Sequence, residues 1–307
     1  MPFTTVITDT GEVPQSLVLE FAQQFLIAAA EQGVMDQFVS IKEQIGAKSI
    51  DFTKYAQLGL ATTALTEDSD VTSEAMVDSQ ILLTPAEHGN VITVSALAGL
   101  QSGGKVDLAA GKLIGMNAGR SLDKLAILAA EGSANEINPG SGAEGAIVAG
   151  DVMTASFLNE LYNKLSRSSV APLQDGMFVA VMHDDVIHDL RSSASAGSWQ
   201  DISKYGKSEQ VLRNEIGSLA GFRIVRDNNI SINTDAGATT VDTYHTLCLG
   251  FNALGKAVSK APEFLITGPY DKLNRFHNFA WKACLQYGIV DQDALYMGTT
   301  SSSVGAN

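Results

Sequence analysis

GSLAGFRIVRDNN, residues 217–229, sets two glycines four positions apart, then an apolar run, then a polar Asp-Asn-Asn corner. No nucleophile, general base or metal ligand is in view, so the stretch is backbone punctuation. Gly217 and Gly221 are expected to allow a tight turn after a helix over roughly 208–217, because glycine enters left-handed conformations without a Cβ penalty. FRIV follows as a core strand, and Asp227-Asn228-Asn229 forms its exit. Upstream, MFVAVMH at 177–183 has the apolar run of a buried strand and DDVIHDLRSS that of a short helix. Downstream, 231–243 is a polar surface loop, and from Tyr244 the chain alternates short strands around a turn at GPYDK.

The strongest helix signal lies further upstream, in KVDLAAGKLIGMNAGRSLDKLAILAAE at 105–131. Val106, Ala109, Leu113 and Met116, then Leu122, Leu125 and Ala129, recur at helical spacing. Such a helix would be about 40 Å long. Gly111, Gly115 and Gly119 fall on one face at i, i+4 and i+8. Each costs about 1 kcal/mol against alanine in a helix, so close approach of another backbone is the expected compensation. A second helix is expected in DVMTASFLNELYNKLSRS with Asp151 as its N-cap, and a third in PQSLVLEFAQQFLIAAAEQG, opened by Pro14 and stopped by Gly33. Between Lys48 and Ala98 the pattern is strands: SIDFTKY, ILLTP and NVITVSA. LGLATTALTEDSDVTSEAMVDS separates the first two, polar and small, with acids at Glu67, Asp68, Asp70, Glu74 and Asp78. No Lys or Arg occurs between Tyr55 and Gly104. Two readings of this long acidic hairpin stand side by side, a solvated loop and an arm reaching onto a neighbouring molecule. Helices and strands mix without βαβ regularity, which points to an α+β fold.

Composition bounds the function. The 307 residues are 45% hydrophobic and 18% charged, enough for a folded core. A net charge of −14 argues against a nucleic-acid-binding surface, whose affinity comes from Lys and Arg on phosphates. Cys248 and Cys284 are too few for a disulfide framework, and the longest apolar run, FLIAAA, is too short to span a bilayer. The opening MPFTTVITDTG lacks the regions of a signal peptide, so synthesis and folding in a cytoplasm are expected.

Three near-motifs fail on chemistry. GLQSGGKV at 99–106 matches a phosphate-binding loop through Lys105, but Val106 stands where a hydroxyl ligand for Mg²⁺ is needed. GSGAEG at 140–145 satisfies G-x-G-x-x-G but follows Asn138-Pro139 rather than a strand, which makes it a linker. In HDDVIH, His183 and His188 diverge by about 140° on a helix. Asp184 or Asp185 is better explained as an N-cap. No catalytic residue, cofactor or metal is expected.

FVAVMHDDVIHDLR, WQDISKYGKSEQVLRNEIGSLAGFRIVRDNN and HNFAWKACLQYGIVDQDALYMG, the last containing Trp281, occur in that order over 177–298. They resemble the conserved run of tailed-bacteriophage major capsid proteins, whose fold is of the Hong Kong 97 type. The resemblance implies an N-terminal arm at 1–45, an extended E-loop at 46–100 and a peripheral P-domain at 101–176 opened by the spine helix 105–131. An axial A-domain over most of 177–260 and a C-terminal return into the P-domain at 261–307 would complete the subunit. The implied function is self-assembly as hexamers and pentamers into an icosahedral head, the virion shell around double-stranded DNA bound without sequence specificity. The acidic hairpin should then meet Arg or Lys on an adjacent subunit.

Some relatives cross-link through an E-loop lysine, but 58–78 has none and the nearest is Lys54 on the stem, so a non-covalent shell is expected. A separate scaffolding protein is expected, with a portal and possible cement proteins as further partners and no membrane. An encapsulin-like compartment shell shares the implied fold, and a nucleotide-dependent enzyme using GLQSGGK is the remote alternative.

Overall fold

The computed structural model describes Phe25, Ile27, 33–65, 67–68, 70–103, 105–173, 176–192, 215–269, 271–273 and 275–304. The arm over 1–13, nearly all of the helix expected over 14–33, and the segment 208–214 lie outside these residues.

After a 3₁₀ turn at Met35–Phe38 come β1 (Val39–Glu43), β2 (Ile50–Tyr55), β3 (Asp78–Leu83) and β4 (Ala86–Ser95). Next are α1 (Ala96–Ser102), α2 (Lys105–Glu131), β5 (Glu136–Ile137), α3 (Ala155–Arg167), β6 (Phe178–Met182) and α4 (Asp184–Ser192). Then follow β7 (Glu215–Leu219), β8 (Phe222–Arg226), β9 (Ile232–Asn233), β10 (Thr243–Leu249), β11 (Leu254–Thr267), β12 (Phe276–Ile289) and β13 (Leu295–Thr300). One sheet has the order β1-β11-β12-β4, and a second runs β5-β13-β10-β6-β8-β7 with β9 beside β10. Among the described residues β2 and β3 pair only with each other. The α+β class expected from the residue pattern is the class of the structure.

The helix at 105–131 has the expected bounds. Ser95 caps α1 by accepting from the Ala98 N–H, and Gly103, at φ +62°, ends it so that α2 can begin in a new direction. α2 buries Ile114, Ala118, Leu122, Ala126 and Ile127 in one core with Phe279, Trp281, Ala283 and Leu285 of β12 and Val94 of β4. β12 therefore alternates buried and half-buried residues.

The second sheet is buried on both faces. Val179, Val181, Val225, Leu247 and Leu249 join the α2 core, while Phe178, Ala180, Met182, Phe222, Ile224 and Cys248 face the core made with α3 and α4. This is why FVAVM is a continuous apolar run rather than an alternating one, and why FRIV is apolar on both faces except at the buried Arg223.

Several local expectations are corrected. The helix expected over 208–217 does not extend past 214, because residues 215–219 are strand, and β7 turns into β8 as a two-residue hairpin. Ala220 and Gly221 hold φ +53° and +82°, the positive values a type I′ hairpin turn needs. Gly217 lies where the β7–β8 register shifts by a bulge. Thr154, not Asp151, caps α3, because its hydroxyl rather than the Asp151 carboxylate reaches the Phe157 N–H. α4 already begins at Asp184, and His183 takes the cap position, its Nδ1 accepting from the Asp185 N–H at 3.3 Å. The short strands expected after Tyr244 include two 14-residue strands, β11 and β12, paired as one long hairpin. Finally, β13 pairs with β10, so the last strand sits in the sheet of β6 rather than in that of β12.

Candidate assembly interface

The β2–β3 hairpin projects from a small root. Ile50 and Phe52 pack with Ala257 and Val290 beneath it, with Ile81 and Leu83 alongside. Lys54 fastens the outer part of the stem, its Nζ lying 2.5 Å from Asp291 and 3.2 Å from Asp293. Burial alone would lower the Lys54 pKa, but the bonds and charges of Asp291 and Asp293 raise it instead.

Beyond Tyr55 the chain leaves regular structure until Asp78, and every described residue of this span is exposed. Glu67, Asp68, Asp70, Glu74 and Asp78 are all there, on the surface. Glu74 folds back to accept the Gly59 N–H with both carboxylate oxygens, at 3.0 and 3.2 Å. This crossing joins the two limbs of the loop.

The description of this loop as polar and small missed its other half. Leu58, Leu60, Leu65, Val71, Met76 and Val77 are also exposed, Leu60 to 90% and Leu65 to 78%. An acidic loop that holds six large apolar side chains in water carries a surface suited to burial elsewhere. The signal was present in the sequence as apolar residues without helix or strand period.

The glycine stripe lies on the body. Gly111, Gly115 and Gly119 are buried beside Ala110, Ile114 and Ala118 of α2. Opposite this helix Trp281 is 2% exposed and donates its indole N–H to Asn117 Oδ1 at 2.9 Å, which Asn90 also reaches at 3.2 Å. Gly221 sits under the Tyr162 ring, 2.4 Å from where a Cβ would be.

The Asp-Asn-Asn corner after β8 ties three elements. Asn228 donates to Asp184 of α4 at 2.9 Å, and Asn229 donates to Asp123 of α2 at 2.8 Å. Lys124 of α2 returns a bond to the Asn229 carbonyl at 2.9 Å.

The near-motifs fall apart in space. Gly99 to Ser102 belong to α1 and Gly103 caps it, so this stretch is helix end rather than a phosphate-cradling loop. GSGAEG forms two short 3₁₀ turns. Among the described residues no three His, Cys, Asp or Glu side chains converge as metal ligands, and no helix is long and apolar enough to cross a membrane.

A long helix over a four-stranded sheet, a second sheet with helices on its far side and a projecting hairpin together make a capsid-type subunit fold. Solved structures make the likeness specific. The capsid of Ralstonia phage GP4 superposes with a TM-score of 0.74 at 12% identity, covering 90% of this chain and 93% of that one. The head of Helicobacter pylori bacteriophage KHP40 gives 0.66 at 9% identity, covering 89% and 90%. A virus-like particle from Pyrococcus furiosus gives 0.57 at 13% identity, covering 93% and 99%. No protein-family model and no curated protein matches the sequence. The chain has the Hong Kong 97-type fold of phage major capsid proteins.

Proposed function

We propose that this chain is a structural major capsid protein that assembles as hexamers and pentamers into the icosahedral head of a tailed phage. The observation that carries the reading is the hairpin loop. Its apolar and acidic side chains project into water from a body already complete without them, and burying them on a neighbouring subunit removes the cost. The likeness in fold to phage capsid and head proteins, over 90% and 89% of the chain, supports the same reading.

In that reading residues 1–45 form the arm, 46–100 the E-loop, 101–176 the P-domain, most of 177–260 the A-domain and 261–307 the return, except that β13 joins the A-domain sheet. Glu67, Asp68, Asp70, Glu74 and Asp78 contact basic groups of an adjacent subunit. Gly111, Gly115, Gly119, Gly217, Gly221 and Trp281 shape the body. The role is non-enzymatic and takes no cofactor. Its partners are other copies, a scaffolding protein, a portal, cement proteins and enclosed DNA.

The shell is held without covalent cross-links, since Lys54 is engaged by Asp291 and Asp293 within its own subunit. A compartment shell of the same fold is the second reading, and the likeness to a virus-like particle is compatible with either. Electron microscopy of the expressed protein tests both: shells or hexamers are expected, and a persistent monomer would sink them. Terminase and portal genes alongside distinguish the head from the compartment.

A further inference from the structure

Asp123 of α2 and Asp227 at the end of β8 are each only 3% exposed and lie within hydrogen-bonding reach of one another. Each has an occupied oxygen. Asp123 Oδ1 accepts the N–H groups of Val34 and Met35 at 2.8 and 2.9 Å, and its Oδ2 accepts the Asn229 side-chain amide at 2.8 Å. Asp227 Oδ1 accepts the Asn229 backbone N–H at 2.9 Å. Asp227 Oδ2 is buried with no donor from the protein. Two buried carboxylates side by side repel strongly, and a buried acceptor without a donor loses its hydration with no return. One proton cures both faults.

We propose that Asp227 keeps its proton in the folded subunit and donates it to Asp123, forming a pH-sensitive latch that joins the β8 corner, the spine helix and the Val34–Met35 segment. Burial, followed by the charge and hydrogen bond of Asp123, pushes the Asp227 pKa up to about 8. The Asn229 N–H and the Lys124 ammonium act in the opposite direction. The other charged or titratable groups around the latch are already engaged. Arg226 lies 3.6 Å from Asp184, while Asp36 takes the Tyr287 hydroxyl and the Lys256 ammonium, each at 2.7 Å.

The sign follows from proton binding. The unfolded carboxyl titrates near 3.8 and the folded one near 8, so the folded state holds the extra proton between them. The latch's contribution is complete below about pH 4, declines as pH rises from there and is gone above about 8. Ionised, Asp227 pushes against Asp123 and strains the two bonds that hold Val34 and Met35. The latch lies within one subunit and so does not depend on the shell reading.

Asp227→Asn keeps the shape and a donor for Asp123 while removing the titration. Infrared spectra of the wild-type protein should show a protonated-carboxyl band at neutral pH that disappears as pH passes about 8 and is missing from D227N. The thermal midpoint of the wild type should fall as pH rises from about 4 to about 8, by at least about 3 °C more than that of D227N. An equal fall in both proteins, or no such band in the wild type at neutral pH, overturns the latch. If D227N does not fold, the wild-type band alone decides.

Discussion

Lys54 on β2 and Asp291 in the turn before β13 meet at 2.5 Å, and this bond connects the projecting hairpin to the body. Asp293 adds a second carboxylate at 3.2 Å. Lys54→Met should cost little global stability, within about 1 kcal/mol, because the pair is partly solvated. Amide exchange over 50–55 should nevertheless accelerate, since the stem loses its outer fastening. High salt should mimic the substitution in the wild type and have no further effect on the variant. Unchanged exchange in the variant would remove the role assigned to the pair.

Changes at the loop tip separate assembly from folding. Glu67, Asp68 and Asp70 are exposed, so replacing all three with lysine should leave the thermal midpoint within the shift expected of about 0.5 kcal/mol. Particle yield measured by sedimentation should drop sharply. Leu60→Asp with Leu65→Asp should do the same, through lost apolar burial. Full particle yield from both sets would exclude the loop as an intersubunit contact.

Trp281→Phe removes one hydrogen bond and little volume. Asn117 would keep only its 3.2 Å bond from Asn90, in a core that includes β12. A loss of about 1–3 kcal/mol is expected in urea unfolding. Asn117→Leu combined with Trp281→Phe should recover part of it, because both polar partners are then gone.

The β7–β8 turn gives opposite outcomes at adjacent positions. Gly221→Ala places a methyl group 2.4 Å from the Tyr162 ring at φ +82° and should destabilise by about 2 kcal/mol or more. Ala220→Gly relieves a left-handed alanine at φ +53° and should be neutral or stabilising by up to about 1 kcal/mol. Denaturant midpoints of the two single variants decide it.

His245 supplies a second pH dependence. It is 6% exposed, with Nδ1 3.4 Å from Glu131 and Nε2 3.7 Å from Glu144. Burial alone would lower its pKa, but the bond to Glu131 and the charges of Glu131, Glu144 and Glu136 raise it above 6.5. For Glu131 and Glu144 burial alone would raise the pKa. Bonds from His245 and Ser231 to Glu131, and from Thr243 and Asn233 to Glu144, together with the His245 charge, lower both below 4.5. The histidine's contribution is therefore complete below about pH 6.5 and lost as pH rises through its raised value. Those of the glutamates are present above about 4.5 and lost as pH falls through their lowered values. His245→Asn should lower the thermal midpoint most near pH 6 and flatten the decline on the alkaline side. D227N should remove a separate decline that spans about pH 4 to 8 and levels off above it. Equal destabilisation by H245N at every pH would rule out a charged His245.

The α2 helix was legible because its signal is local: 27 residues at one period, bounded by glycine on both sides. FVAVM and FRIV were legible as strands for a related reason, since a run buried on both faces is nearly all apolar, with Arg223 the sole polar residue of the two. The acidic loop was half legible. Its charges stand out in a base-free stretch, while its leucines follow neither period, and only the fold shows that they stay exposed. The capping errors were small in sequence and decisive in space. Asp151 and Thr154 are both good N-cap residues, and only the backbone path puts the Thr154 hydroxyl against the Phe157 N–H.

The sequence by itself determined where α2 runs, which strands are buried and that 217–229 is structural, because each depends on neighbours within a few residues. Tertiary structure alone decided what the Asp-Asn-Asn corner does. Asp227 meets Asp123 across 104 positions, and Asn229 meets it across 106. A carboxyl group's proton is set by whatever charge and burial the fold brings beside it, and no local pattern carries that information.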